Sequence, residues 1–171
     1  MKRLGLLRHA KSSWADTALP DFDRPLKKRG IKAATAMGEE LRRRDIAFDL
    51  VLASPARRIV ETVACFEQGY GRSLDSKFER GIYEASALSL WQIIERASNG
   101  AESLLLVGHQ PGLQALATML ASRGDPHHRE MRDYFPTAAF ALTEFEADDW
   151  RGIEPGTGRV ELYLTPRALE D

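Results

Sequence analysis

The chain has 171 residues, 43% of them hydrophobic and 29% charged, and a formal net charge of -1. That length suits one unit with a core of its own, so residues 1–171 are read as a single domain. The balanced charge excludes a global pull toward nucleic acid or an anionic membrane, and a lone cysteine, Cys65, excludes an intrachain disulfide.

From the N-terminus, Arg3-Leu4-Gly5-Leu6-Leu7-Arg8 predicts a short buried strand. Arg8, His9 and Lys11 interrupt this stretch too early for a signal peptide, and no apolar run approaches the ~20 residues of a membrane span. The expected compartment is the cytoplasm. Residues 10–26 read as a polar loop. Residues 27–44 predict a helix with Ile31, Ala34, Gly38 and Leu41 on one stripe and three arginines at its C-terminal end. Residues 49–53 predict a second strand. Pro55 is expected in the first turn of the next helix, with Ser54 as its N-cap, Val60, Val63 and Ala64 toward the core, and Gly69 and Gly71 ending it.

Residues 76–80 predict a short edge strand, and residues 86–98 a third helix with Leu90, Trp91 and Ile94 inward. Ser103–Val107 is the clearest buried strand, followed by a helix over about 111–122. Residues 123–136 read as an irregular polar loop. Residues 138–145 and 158–164 predict two final strands, paired like a hairpin. Strands alternating with helices predict a three-layer α/β/α sandwich with a mainly parallel central sheet.

Three polar clusters each follow a predicted strand: Arg8-His9, Ser54-Pro55-Ala56-Arg57-Arg58 and Gly108-His109-Gln110-Pro111-Gly112. In parallel α/β sheets, ligand sites gather at the carboxyl ends of strands. Two histidines and two or three arginines meeting there make a poor core and a good phosphate site. Arginine forks bond phosphate oxygens in pairs, and like-charge repulsion from them favours the neutral imidazole that can attack phosphorus. Each part also has a plainer reading. A strand-end histidine is commonly structural, Arg57 and Arg58 are commonly solvated, and His109 is placed where a turn residue would be. Arginines in a first helical turn oppose the helix dipole, which suggests an anion nearby. Ser12 either bonds phosphate or caps the loop. His127-His128 lacks the partners of a metal site. Trp14 and Trp91 read as packing residues and Cys65 as inert core.

Over nearly its whole length the chain resembles the histidine phosphatase superfamily, and most closely its SixA-like branch. Leu6-Leu7-Arg8-His9-Ala10-Lys11-Ser12 is similar to the opening Arg-His-Gly motif, with Ala10 in place of glycine. Asp23-Arg24-Pro25-Leu26 with Gly30 and Ala33, Ser54-Pro55-Ala56-Arg57-Arg58 through Thr62, Val107-Gly108-His109-Gln110-Pro111 and Pro136-Thr137-Ala138-Ala139 resemble its later segments. The resemblance implies a phosphoglycerate mutase-like fold. It implies His9 as phosphoryl acceptor, with Arg8, Arg58 (not Arg57) and His109 around the phosphate. It implies no metal or other cofactor.

Relatives that act on small esters place an acid between the second and third clusters. Glu84 is the local match, equally readable as a solvated residue before the next helix. The short segment from Glu84 to Ser103 leaves no room for a lid, which favours a phosphorylated protein, phosphohistidine above all, as substrate. A phosphatase or mutase for small phosphate esters and a non-catalytic phosphate-binding module are the alternatives. No nucleic acid or membrane partner is expected, and the expected state is a monomer, since no large apolar stripe is left over.

Overall fold

The computed structural model describes residues 1–170. Strand β1 (Lys2–Arg8) leads through a loop with a 3-10 turn at Asp21–Asp23 into helix α1 (Lys28–Arg43). Then come β2 (Leu50–Ala53), α2 (Arg57–Tyr70), β3 (Lys77–Phe78), α3 (Ala87–Ala97), β4 (Ser103–Gly108), α4 (Gly112–Leu120) and α5 (Pro126–Asp133). Strands β5 (Phe140–Phe145) and β6 (Arg159–Leu164) and the short α6 (Pro166–Leu169) complete the described chain. The strands form one sheet in the order β3-β2-β4-β1-β5-β6. The pairs β3–β2, β2–β4 and β4–β1 are parallel, whereas β5 and β6 run antiparallel at one edge, as the hairpin-like expectation had it.

The period-two rule sorts the central strands onto two cores. Leu104 and Leu106 of β4 join Leu4 and Leu6 of β1 under α3 and α4, while Leu105 and Val107 join Leu7 under α1 and α2. Helices thus cover both faces of a mainly parallel sheet, the three-layer α/β arrangement that the alternating pattern predicts. Helices α1 and α2 cross at glycine: a Cβ on Gly38 would lie 2.1 Å from the Phe66 carbonyl oxygen, and one on Gly69 2.0 Å from that of Thr35. Gly69 therefore belongs to the helix crossing, and only Gly71, at φ +85°, ends α2.

Several expectations fail locally. Ile31 is 46% exposed; Met37 takes the core position beside Ala34, Gly38 and Leu41. In α2 the inward stripe is Ile59, Val63 and Phe66, with Val60 40% exposed and Ala64 also outside. The helix starts at Arg57 after an uncapped Ala56; Pro55 precedes it and Ser54 does not cap it. Trp14 is 70% exposed, its ring stacked under the Arg24 guanidinium at 3.5 Å. Residues 126–133, expected as loop, are helix α5: the Asp125 side chain accepts from the His127 N–H at 2.9 Å, and Pro126 fits the first helical turn. Only Met131 of α5 is buried, so no apolar stripe announced it.

Candidate active site

Arg8 is level with Gly108 in the β1–β4 pair, and Ala53 with Val107 in the β2–β4 pair. Three parallel strands therefore end along one edge of the sheet, and the polar clusters that follow them meet there. The turn after β1 is fixed from four sides. His9 N–H donates to the Gly108 carbonyl (3.2 Å), and Ala138 N–H to those of Arg8 (3.1 Å) and His9 (2.9 Å). Ala10 N–H donates to Thr62 Oγ1 (2.9 Å), whose hydroxyl in turn donates to the Arg58 carbonyl (2.6 Å). Thr62 thus ties the His9 turn to the turn of α2 that carries Arg58. Helix α1 closes from below at Gly30, where any Cβ would fall 2.2 Å from the Lys11 carbonyl oxygen.

The hydrogen bonds assign a tautomer to each histidine. The Ala10 carbonyl can only accept, so His9 Nδ1, 2.8 Å away, carries the proton, and Nε2 keeps its lone pair. Arg58 can only donate, so His109 Nδ1, 3.3 Å from Nη2, accepts, and His109 Nε2 donates to Ser54 Oγ at 2.7 Å. The ring centroids of His9 and His109 are 5.6 Å apart. Burial is the chief force on both. It brings the His9 pKa down to about 3, opposed by the Ala10 carbonyl and reinforced by Arg58, Arg8 and His109. It brings His109 to about 4, with Arg58 acting the same way and Asp21 opposing. Both rings are therefore neutral at ordinary working pH.

Arg8 is fixed by a bond from Nη1 to the Phe135 carbonyl (3.0 Å), and Arg58 by bonds to the Asp21 carbonyl (2.8 Å) and carboxylate (3.1 Å). The Nε atoms of both arginines are buried and meet no acceptor among the described residues. A buried donor left without a partner costs about 1–3 kcal/mol, so two such donors beside two neutral imidazoles fit an anionic ligand. Arg57, one residue away, points outward and pairs with Glu61 at 2.7 Å, in line with the motif spacing.

Asp21 escaped the sequence reading. Its carboxylate accepts from Arg58 Nη2, from Arg24 Nε (3.1 Å) and from the Tyr83 hydroxyl (2.6 Å). Burial by itself would raise its pKa; the Tyr83, Arg58 and Arg24 bonds outweigh that and hold it at about 2. Asp21 lies two residues before the Asp23-Arg24-Pro25-Leu26 segment that resembles the family. Tyr83 also packs edge-on against the His109 ring, centroids 5.3 Å apart. Its phenol is raised to about 12, by burial first and then by Asp21 and Glu84. Glu84, the next residue, is exposed and at φ +58°. Ser12 is buried, and its oxygen accepts from Arg24 Nη1 (2.9 Å); it is bonded to none of Arg8, His9, Arg58 and His109. His127 pairs with Glu130 at 3.1 Å, and the described residues contain no group of three or more His, Cys, Asp or Glu that could hold a metal. No helix among them is long and apolar enough to cross a membrane.

Residues 4–90 match the family model for the histidine phosphatase superfamily (branch 1). An uncharacterized protein of Mycobacterium tuberculosis is 34% identical over 164 residues, covering 94% of this chain and 100% of that protein. Among solved structures, the SixA protein of Agrobacterium tumefaciens, whose proposed activity is that of a phosphohistidine phosphatase, is 28% identical. It superimposes with a TM-score of 0.80 over 96% of this chain and 98% of its own. The SixA protein of Nakamurella multipartitia, with the same proposed activity, is 27% identical, with a TM-score of 0.82 over 96% of each chain.

Proposed function

The chain belongs to the histidine phosphatase superfamily, in its SixA-like branch, and is a phosphatase; from that premise we propose that it removes phosphate from phosphohistidine in a protein, through a phosphohistidine intermediate on His9. The observation that carries the choice of substrate is the state of Asp21. It is the carboxylate bonded to the pocket's arginine, and at a pKa of about 2 it has no proton to give. A general acid works best with a pKa near the operating pH. A leaving group that needs no protonation by the enzyme suits this pocket, and the imidazole of phosphohistidine is one.

His9 Nε2 attacks phosphorus, and the bond from phosphorus to the substrate's imidazole breaks. That ring, protonated on its other nitrogen, departs as neutral imidazole. Positive charge developing on His9 is met by the Ala10 carbonyl at Nδ1. Arg8 and Arg58 bond the oxygens of the transferring phosphoryl group, whose stabilisation is the main work in such reactions. His109 supplies a further contact, its ring held by Ser54. Water then attacks phosphorus, the bond to His9 Nε2 breaks, the electron pair returns to the ring and dihydrogen phosphate leaves.

A second reading, hydrolysis of small phosphate esters, is favoured by Glu84, the exposed residue after Tyr83, whose carboxyl group in its acid form would give the departing alkoxide its proton. Two substrates separate the readings: a phosphohistidine-bearing protein and an alkyl phosphate monoester. Replacing His9 with Ala is expected to abolish turnover of both and to prevent acid-labile labelling of the enzyme by either. Replacing Glu84 with Gln is expected to leave phosphohistidine turnover within about threefold. Retained turnover in the His9→Ala variant removes the nucleophile assignment, and turnover of the alkyl phosphate faster than that of the phosphohistidine protein, lost on Glu84→Gln, removes the substrate assignment.

A further inference from the structure

A groove of about 1080 Å³ that the chemistry above does not use has Ala115, Met119, Ala121 and Pro155 in its apolar lining. Its polar lining includes Arg123, Arg129, Arg132 and His128, and no Asp or Glu lines it. Arg129 and Arg132 share one carboxylate, Asp133, at 3.8 and 3.1 Å, and Arg123 pairs with none among the described residues. The groove therefore carries a local positive charge on a chain whose formal net charge is -1. Lined from α4, α5 and the 155–156 turn, it has room for a segment of a macromolecule.

The groove's wall is built partly from the segment that carries His109. Pro111, at its end, follows His109 by two residues. Gln114 donates to the Met131 and Arg132 carbonyls of α5 (2.8 and 2.9 Å), and Gln110 donates to the Phe135 carbonyl (3.3 Å), the same oxygen that holds Arg8. A chain whose phosphorylated side chain enters the pocket would have neighbouring surface over this wall. Resting on the phosphoprotein reading above, we infer that the groove between α4 and α5 docks an acidic, partly apolar segment of the protein substrate. The arginines steer the substrate by charge, and the alanine and methionine floor takes its apolar side chains. The mixed floor favours such a segment over nucleic acid, which would present a uniformly anionic, polar backbone.

The test separates docking from chemistry. A fluorescein-labelled twelve-residue peptide of alternating Glu and Leu, without His or phosphate, is titrated at low and high salt against three proteins: the parent, Arg123→Glu/Arg129→Glu and His9→Ala. The parent and His9→Ala are expected to bind equally, with affinity falling as salt rises, and the double variant to bind at least tenfold more weakly. The double variant should also raise KM for a phosphohistidine protein about tenfold while hydrolysing aryl phosphate at the parental rate. That rate also reports that it folds. Equal peptide binding by parent and double variant overturns the inference, whatever the catalytic result. So does a single-stranded oligonucleotide that binds the groove more tightly than the peptide. If peptide binding behaves as expected but no phosphohistidine protein is turned over, the docking site stands and the substrate assignment falls.

Discussion

At the residue scale, the structure turns a pair of histidines at strand ends into two rings held neutral, with pKa values of about 3 and about 4. An unfolded histidine takes its proton near 6.5. Between that pH and the folded values the unfolded chain binds more protons than the native one, so stability falls as pH drops through this window. Asp21 acts lower down: its folded pKa is about 2, so its contribution is intact above the ordinary value of 3.8 and is lost only toward pH 2. The urea midpoint is therefore expected to fall between pH 7 and pH 4.5, and to fall less in a His109→Gln variant. A midpoint equally steep in both would mean that His109 is not buried neutral. Arg8, His9, Arg58 and His109 were readable because each follows an apolar run. Asp21 was not, because residues 10–26 have no period and its contact with Arg58 joins positions 37 apart.

At the scale of elements, the position of Arg58 depends on how α2 lies against α1. Gly69 lets the helices approach until a Cβ would stand 2.0 Å from the Thr35 carbonyl oxygen. A Gly69→Ala variant must push the helices apart, and overpacking of this kind costs about 1–3 kcal/mol. The expected melting temperature is lower by roughly 2–4 °C for each kcal/mol. Because Thr62 links α2 to the His9 turn, kcat should fall with it; thermal melts and aryl phosphate kinetics on the same sample check both. Helix α5 shows the converse limit of reading by pattern. With one buried residue it has no apolar stripe, and it is held instead by Gln114 bonding to its last carbonyls.

At the scale of the whole molecule, the site exists only because the ends of β1, β2 and β4 share one edge, with α1 and α2 on one face and α3 and α4 on the other. If Arg8, Arg58 and the two neutral rings bind phosphate as proposed, tungstate should bind the folded chain and not the unfolded one. At a hundred times its Kd the expected stabilisation is about 2.7 kcal/mol, read as a rise in melting temperature that an Arg58→Ala variant lacks. An equal rise in that variant would place the anion elsewhere. The sequence by itself determined the alternation of strands and helices, the family and the four central side chains, because apolar period and short motifs are local properties. Only the tertiary structure decided the tautomers, the depressed pKa values, the ionised state of Asp21 and the groove that α4 and α5 form together. Each of those depends on burial and on hydrogen bonds between residues far apart in the chain, which no local pattern encodes.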